Sequence, residues 1–204
     1  MRTAALLVAA LTACGCGGGR ADHRRFVAFS QANNAEPYRA AQNALMEKLF
    51  AADPDVRLVI SDAQQDNSKQ VAQVETFIRQ KPDLLIVAPN ERAALTTVMG
   101  QAMEAHIPVI CLERDILQPS YTTYVHSDNV AIGRMAGQFI VDHLTKKYGR
   151  PKGNIVAMRG LLGVEGEINR DRGAKEIFDR YPEIRIVADP VADWIQAKAK
   201  DRMT

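Results

Sequence analysis

Polar and aromatic side chains recur in this sequence directly behind short apolar runs. Ser30, Gln31, Asn33 and Asn34 follow the first run, with Glu36, Tyr38 and Arg39 slightly later. Ser61 and Asp62, then Pro89-Asn90-Glu91, then Glu113-Arg114-Asp115 follow the next three runs. Further on come Arg159 to Gly166, Arg170, Arg172, Asp193 and Trp194. Hydroxyls, amides, carboxylates, guanidinium groups and aromatic rings in this mixture suit a polyhydroxylated ligand such as a sugar. Planar Asn, Asp and Arg groups can grip vicinal hydroxyls in pairs. An apolar C–H face can lie on a Tyr or Trp ring, an amphipathic surface that loses little conformational entropy on contact.

Each residue also has a plainer explanation. Trp194 could close a core at a helix start, Tyr38 could be ordinary helix surface, and Arg114 and Arg170 could be salt-bridge partners. Asn33 reads as a turn former and Asp66 as a helix cap.

Catalytic patterns are missing. The sequence has no G-x-S-x-G elbow and no H-E-x-x-H zinc helix. His23, His106, His126 and His143 are dispersed, and no cysteine has an obvious histidine partner. Gly160-x-x-Gly163-x-x-Gly166 precedes a helical pattern, where an anion could sit at the helix start, but its spacing is not the dinucleotide fingerprint. Neither enzyme chemistry, a cofactor nor a metal is expected. With 26 basic against 24 acidic residues the net charge is +2, which gives no electrostatic reason to expect nucleic acid. Arg20, His23, Arg24 and Arg25, the densest basic cluster, adjoin a glycine tract and read as a solvated linker.

The elements that must hold these residues alternate regularly. Phe26 to Phe29, Val56 to Ile60, Leu84 to Val87 and Pro108 to Leu112 read as strands, and Tyr121 to Val125 as a fifth. Between them Ala41, Leu45, Met46 and Leu49, then Val71, Val74 and Ile78, then Leu95, Val98, Met99, Ala102 and Met103 recur at helical spacing. Continuous apolar strands separated by amphipathic helices predict a doubly wound parallel sheet. The beat restarts after Ser127-Asp128-Asn129. Ile132, Met135, Ala136, Phe139 and Ile140 predict a helix stopped by Gly149 and Pro151. Strands at Ile155–Met158 and Ile184–Val187 flank a helix marked by Ala174, Ile177, Phe178 and Tyr181, and a last helix is predicted around Gln196 to Met203. Two strands are too few for a sheet covered on both faces, so further chain is expected beyond Thr204.

The start of the sequence reads differently. One basic residue, an apolar stretch from Ala4 to Leu11 and Thr12-Ala13-Cys14 compose a secretory signal, far short of the roughly 20 apolar residues that span a bilayer. Leu11-Thr12-Ala13-Cys14 resembles the bacterial lipobox, which implies that Cys14 becomes the lipid-bearing first residue of the mature protein. Cleavage without lipidation, or a metal-binding Cys14–Cys16 pair, are the alternatives. The organisation expected is a signal over 1–13, a tether over 14–24, a first α/β lobe over 25–127 and a partial second lobe over 128–204.

Taken in order, Phe29-Ser30-Gln31-Ala32-Asn33-Asn34, Pro89-Asn90-Glu91, Ile107-Pro108-Val109-Ile110 leading to Glu113-Arg114, Ser127-Asp128-Asn129 and Trp194 resemble the ribose-type periplasmic sugar-binding proteins. The resemblance covers residues 25 to 204 and implies the substrate-binding subunit of a bacterial ABC sugar importer. It implies two doubly wound lobes closing over one sugar, held outside the cytoplasm by the lipid anchor and working as a monomer with a membrane permease. By position, Ser30, Asn34 and Asn90 fall on first-lobe contacts, Tyr38 on a stacking aromatic and Arg39 on a further polar contact. Glu113-Arg114 falls on an acidic-plus-arginine pair, Asp128 and Asn129 on the first hinge crossing, Arg170 on a second-lobe arginine and Trp194 on its stacking aromatic. Glu113 departs from the usual Asp by one methylene. Presentation of the sugar to a chemoreceptor or sensor kinase fits the same residues. A sugar-responsive repressor would need a helix-turn-helix ahead of the first strand, where the sequence has the signal and tether instead.

Overall fold

The structure is a computed structural model that describes residues 22–204. The expected signal, the expected lipidation site at Cys14 and most of the expected tether therefore lie outside the described residues. The first lobe runs β1 (Arg25–Gln31), α1 (Pro37–Phe50), β2 (Val56–Asp62), α2 (Asn67–Gln80), β3 (Leu84–Val87), α3 (Arg92–Glu104), β4 (Val109–Leu112) and β5 (Thr123–Val125). The second runs α4 (Asn129–Tyr148), β6 (Gly153–Val156), α5 (Glu165–Phe178), β7 (Ile184–Ala188) and α6 (Gln196–Met203).

All five first-lobe strands pair in parallel, in the order β2-β1-β3-β4-β5. Parallel neighbours need crossovers, which α1, α2 and α3 supply. The order reverses at β1, so a crevice opens where the carboxyl ends of β1 and β3 diverge. Ser30 is in register with Val87 there, which puts the polar residues after both strands side by side.

One face of the sheet is thickly covered. Phe26, Ala28, Leu85, Val87 and Cys111 pack against Val74, Phe77, Leu95, Val98, Met99 and Ala102 of α2 and α3. On the other face Val27, Phe29, Ile86 and Ala88 meet Met46 and Phe50 of α1. Leu45 and Leu49, expected on the inner stripe of α1, are exposed. The buried side of that helix also carries Arg39 and Asn43, because its first turn serves the crevice as well as the core.

The second lobe is thinner. β6 and β7 form a two-stranded parallel sheet, backed by Val141, Leu144 and Ile177. Val156 and Val187 stay exposed. α4 corrects the hydropathy reading, since Met135 and Phe139 are 65% and 69% exposed while Gly133, Gly137, Val141 and Leu144 are buried. The reason is close backbone approach. A Cβ on Gly133 would collide with the Arg170 carbonyl of α5, and one on Gly173 with the Val130 carbonyl of α4. The glycine face of α4 therefore packs inward, and the apolar stripe rotates towards solvent. Gly149 ends the helix in the left-handed conformation (φ 73°), as its position predicts.

The chain passes between lobes through His126-Ser127-Asp128. Asp128 caps α4 by accepting a hydrogen bond from Ala131 N at 2.9 Å.

Candidate functional site

The loop after β1 is ordered by its own side chains. Asn33 Oδ1 accepts from the backbone N–H groups of Ala35 and Glu36 at 3.0 and 3.1 Å, the turn role expected of it. Pro37 occupies the first helical position of α1, and the residue before a proline is held extended. Glu36 accordingly has φ −81° and ψ 124°, and its side chain makes no cap hydrogen bond. It turns instead towards two buried arginines.

Glu36 Oε1 receives Asn33 Nδ2 at 2.8 Å, Arg39 Nε at 3.2 Å and Arg114 Nη2 at 3.3 Å. Arg39 is 0% exposed and Arg114 2%. Arg39 also donates to Gln31 Oε1 at 2.6 Å and lies 2.9 Å from Glu113 Oε2, an ion pair without the angle of a good hydrogen bond. Arg114 Nη1 donates to the Asn90 carbonyl at 3.3 Å. Burial, with Arg39 beside it, pushes the Arg114 guanidinium down to about 10. Two guanidiniums and two carboxylates thus form a charge-balanced cluster within the first-lobe wall. Burying such charges singly would be prohibitive, and pairing makes it tolerable.

Backbone strain aims the charged and aromatic groups. Glu113 sits in the left-handed region (φ 69°) directly after β4, with its N–H on the Val125 carbonyl. Asp193 and Trp194 are left-handed as well (φ 53° and 59°). Non-glycine residues seldom adopt this conformation, and such strain concentrates at functional sites. The indole of Trp194 lies against Gly160, where any Cβ would collide with it. The Arg114 guanidinium reaches across from the first lobe to 5.0 Å from the ring centroid, and Arg170 lies at 6.0 Å. Arg170 is oriented by Asn129, whose Oδ1 accepts from its Nε at 2.8 Å while Nδ2 donates to Glu165 at 2.8 Å.

A cavity of about 390 Å³ separates the lobes, within the size range of small-molecule sites. Glu36, Tyr38 and Glu113 line it from the first lobe, Ser127 from the crossing, and Asn129, Arg170 and Trp194 from the second. Two rings, two carboxylates and a guanidinium around one space can stack on a C–H face and grip hydroxyls. Among the described residues no group of three or more His, Cys, Asp and Glu is placed to hold a metal ion.

Comparison with known proteins decides the family: the periplasmic binding protein domain matches residues 27–204. The chain belongs to that family. The periplasmic binding domain here is 32% identical over 154 residues to a xylitol-binding protein of Mycolicibacterium smegmatis, covering 76% of this chain and 43% of that one. It is 31% identical over 180 residues to a galactofuranose-binding protein of Escherichia coli, covering 87% and 55%. The chain thus spans about half the length of these curated relatives, both of which are binding proteins. A solved galactofuranose-binding protein superposes with a TM-score of 0.80 at 30% identity, over 87% of this chain and 60% of that one.

Against this frame the residues named from sequence divide into three groups. Tyr38, Glu113, Asn129, Arg170 and Trp194 meet at the cavity. Ser30, Arg39, Asn90 and Arg114 are buried, Arg114 with its guanidinium 5.0 Å from the Trp194 ring. The Ser30 hydroxyl has no partner among the described residues, while the Asn90 side chain donates to Gln65 O and Asn67 Oδ1. Asn34 is exposed and bonded to Asn43 Nδ2, and Asp128 is a helix cap. The anion site considered at the start of α5 meets Glu165 and Glu167 in the first turn, which disfavours an anion there. Glu36 was named from sequence without a role, yet it joins both arginines to the cavity. Its signal was Pro37, which fixes the turn that directs it inward.

Proposed function

We propose that this chain captures a monosaccharide or small saccharide non-covalently between its lobes, as part of a bacterial protein that delivers the sugar to an ABC permease. One observation carries the reading: Tyr38 and Glu113 of one lobe and Arg170 and Trp194 of the other line the same cavity. A sugar bridging both walls favours the closed arrangement over the open one, because it gains contacts on both sides only when they approach. The lobes swing about the crossing at Asp128 and Asn129, and the permease reads their closure. The names of the relatives support neutral polyhydroxylated ligands. The protein acts outside the cytoplasm as a monomer, tethered by a lipid on Cys14.

Tryptophan fluorescence tests the capture. Trp194 is the sole tryptophan of these 204 residues, and in the full-length protein the emission that a Trp194→Phe variant lacks should change saturably on titration with the bound sugar. Trp194→Ala should weaken binding about tenfold or more, measured by calorimetry, in line with a stacked aromatic anchor. Unchanged affinity would remove Trp194 from the site. For the anchor, Cys14→Ser should move the protein from the membrane fraction to the soluble one, and Cys16→Ser should not. A wild type found soluble and unlipidated would overturn the anchor.

A further inference from the structure

Glu36 does more than bind two arginines. Its side chain is 8% exposed and lines the cavity. All three of its hydrogen bonds fall on Oε1, and Oε2 accepts none among the described residues. One oxygen is fully engaged with the buried cluster, and the other is left for the cavity. Glu113 repeats the pattern, with Oε2 against Arg39 and the residue lining the same space. The first-lobe wall therefore offers carboxylate oxygen to the ligand, beside the buried guanidiniums of Arg39 and Arg114, the second of which lies 5.0 Å from the Trp194 ring.

This arrangement selects by charge. A hydroxyl donates to a carboxylate oxygen and gains a charge-assisted hydrogen bond. A ligand carboxylate or phosphate in the same place meets like charge inside a partly desolvated cleft, where repulsion is screened less than in water. Arg170, the cation that lines the opposite wall, is held by the neutral amide of Asn129, and on its own it would welcome an anion. Glu36 offsets it. We propose that Glu36 is a specificity-determining residue that takes a ligand hydroxyl on Oε2 and makes the cleft reject anionic sugars. The proposal rests on the capture of a sugar between the lobes.

Glu36→Gln tests this, because it keeps the shape and removes the charge. It leaves Arg39, Arg114 and Arg170 facing Glu113 alone. Calorimetry on the full-length protein would compare D-galactose with D-galacturonate, D-ribose with D-ribonate, and xylitol with D-xylonate. The wild type should bind a neutral member at least about a hundredfold more tightly than its acid. In Glu36→Gln the neutral member should weaken and the ratio should narrow at least about tenfold towards the acid. Glu36→Asp retains the charge on a shorter arm, so it should lose affinity and keep the ratio. The ratio is the deciding readout, since loosened packing lowers both affinities together. A ratio unchanged in Glu36→Gln, or narrowed equally in Glu36→Asp, overturns the charge role while leaving sugar capture intact. Should Glu36→Gln not fold, the Glu36→Asp ratio and the wild-type preference decide, and a wild type that favours the acid overturns the proposal. Binding of neither member of any pair overturns the capture reading itself.

Discussion

The two lobes hold their functional side chains by opposite means. In the first, charges are sunk into the wall: Arg39 and Arg114 are essentially inaccessible to solvent, and Glu36 and Glu113 tie them to the cavity. The side chains are positioned by electrostatics within a sheet whose more thickly covered face is packed by two helices. In the second lobe the backbone does the positioning. Gly133, Gly137 and Gly173 let α4 and α5 touch main chain to main chain, and Gly160 gives the indole of Trp194 its seat. A wall of buried ion pairs resists change because removing one partner strands the other. A wall seated on glycines resists it because no space exists for an added methyl group.

Cys111 gives the largest effect with which to test the first half of that contrast. It is fully buried in the first-lobe core, and burial raises its thiol from 9.0 to about 12, with Asp115 adding to the shift. In the folded lobe thiolate is then about a thousandfold scarcer at pH 8 than in the unfolded chain. Within residues 22–204 Cys111 is the sole cysteine, so alkylation by iodoacetamide should be suppressed by at least that factor until denaturant opens the lobe. Rapid modification of the native protein would show a first lobe no firmer than the second. The sign for stability follows from the same shift. The unfolded thiol ionises first, so this contribution is present below pH 9 and is lost as pH rises towards 12.

The second half is tested by a pair of substitutions. Gly173→Ala should destabilise the second lobe by about 1–3 kcal/mol through overpacking, read from urea unfolding followed at Trp194. Phe139→Gln, which removes a large apolar side chain from an expected core position, should change stability by less than about 0.5 kcal/mol because the ring faces solvent. The reverse ranking would restore the hydropathy stripe of α4 as its packing face.

That pair also marks where sequence legibility ended. Apolar runs such as Leu84–Val87 and the stripe through Leu95, Val98, Met99 and Ala102 announced their partners, because hydrophobic burial writes itself into periodicity. The Asp66 cap of α2 was equally legible, its side chain accepting from Lys69 N at 2.9 Å. The face of α4 was not, since glycine contributes shape and no hydropathy. At the site, Tyr38, Glu113, Arg170 and Trp194 stood out by type and by their place behind strands, and they meet at one cavity. Arg39 and Arg114 could be named but not sorted into wall or backing. A guanidinium in a sequence reads as surface until its carboxylate partner, distant in the chain, is brought alongside.

Asn129 lies at the first turn of α4, directly after the segment that joins the lobes, and its amide has both ends engaged. The oxygen holds Arg170 and the nitrogen holds Glu165. An amide gripped this way cannot flip without losing both partners, so it transmits torque. Any twist of residues 126–128 that turns the start of α4 moves the Arg170 guanidinium by way of a single rigid side chain. Under the proposed capture, the joint and the grip become one linkage, in which swinging the lobes and aligning the arginine on a ligand are the same displacement.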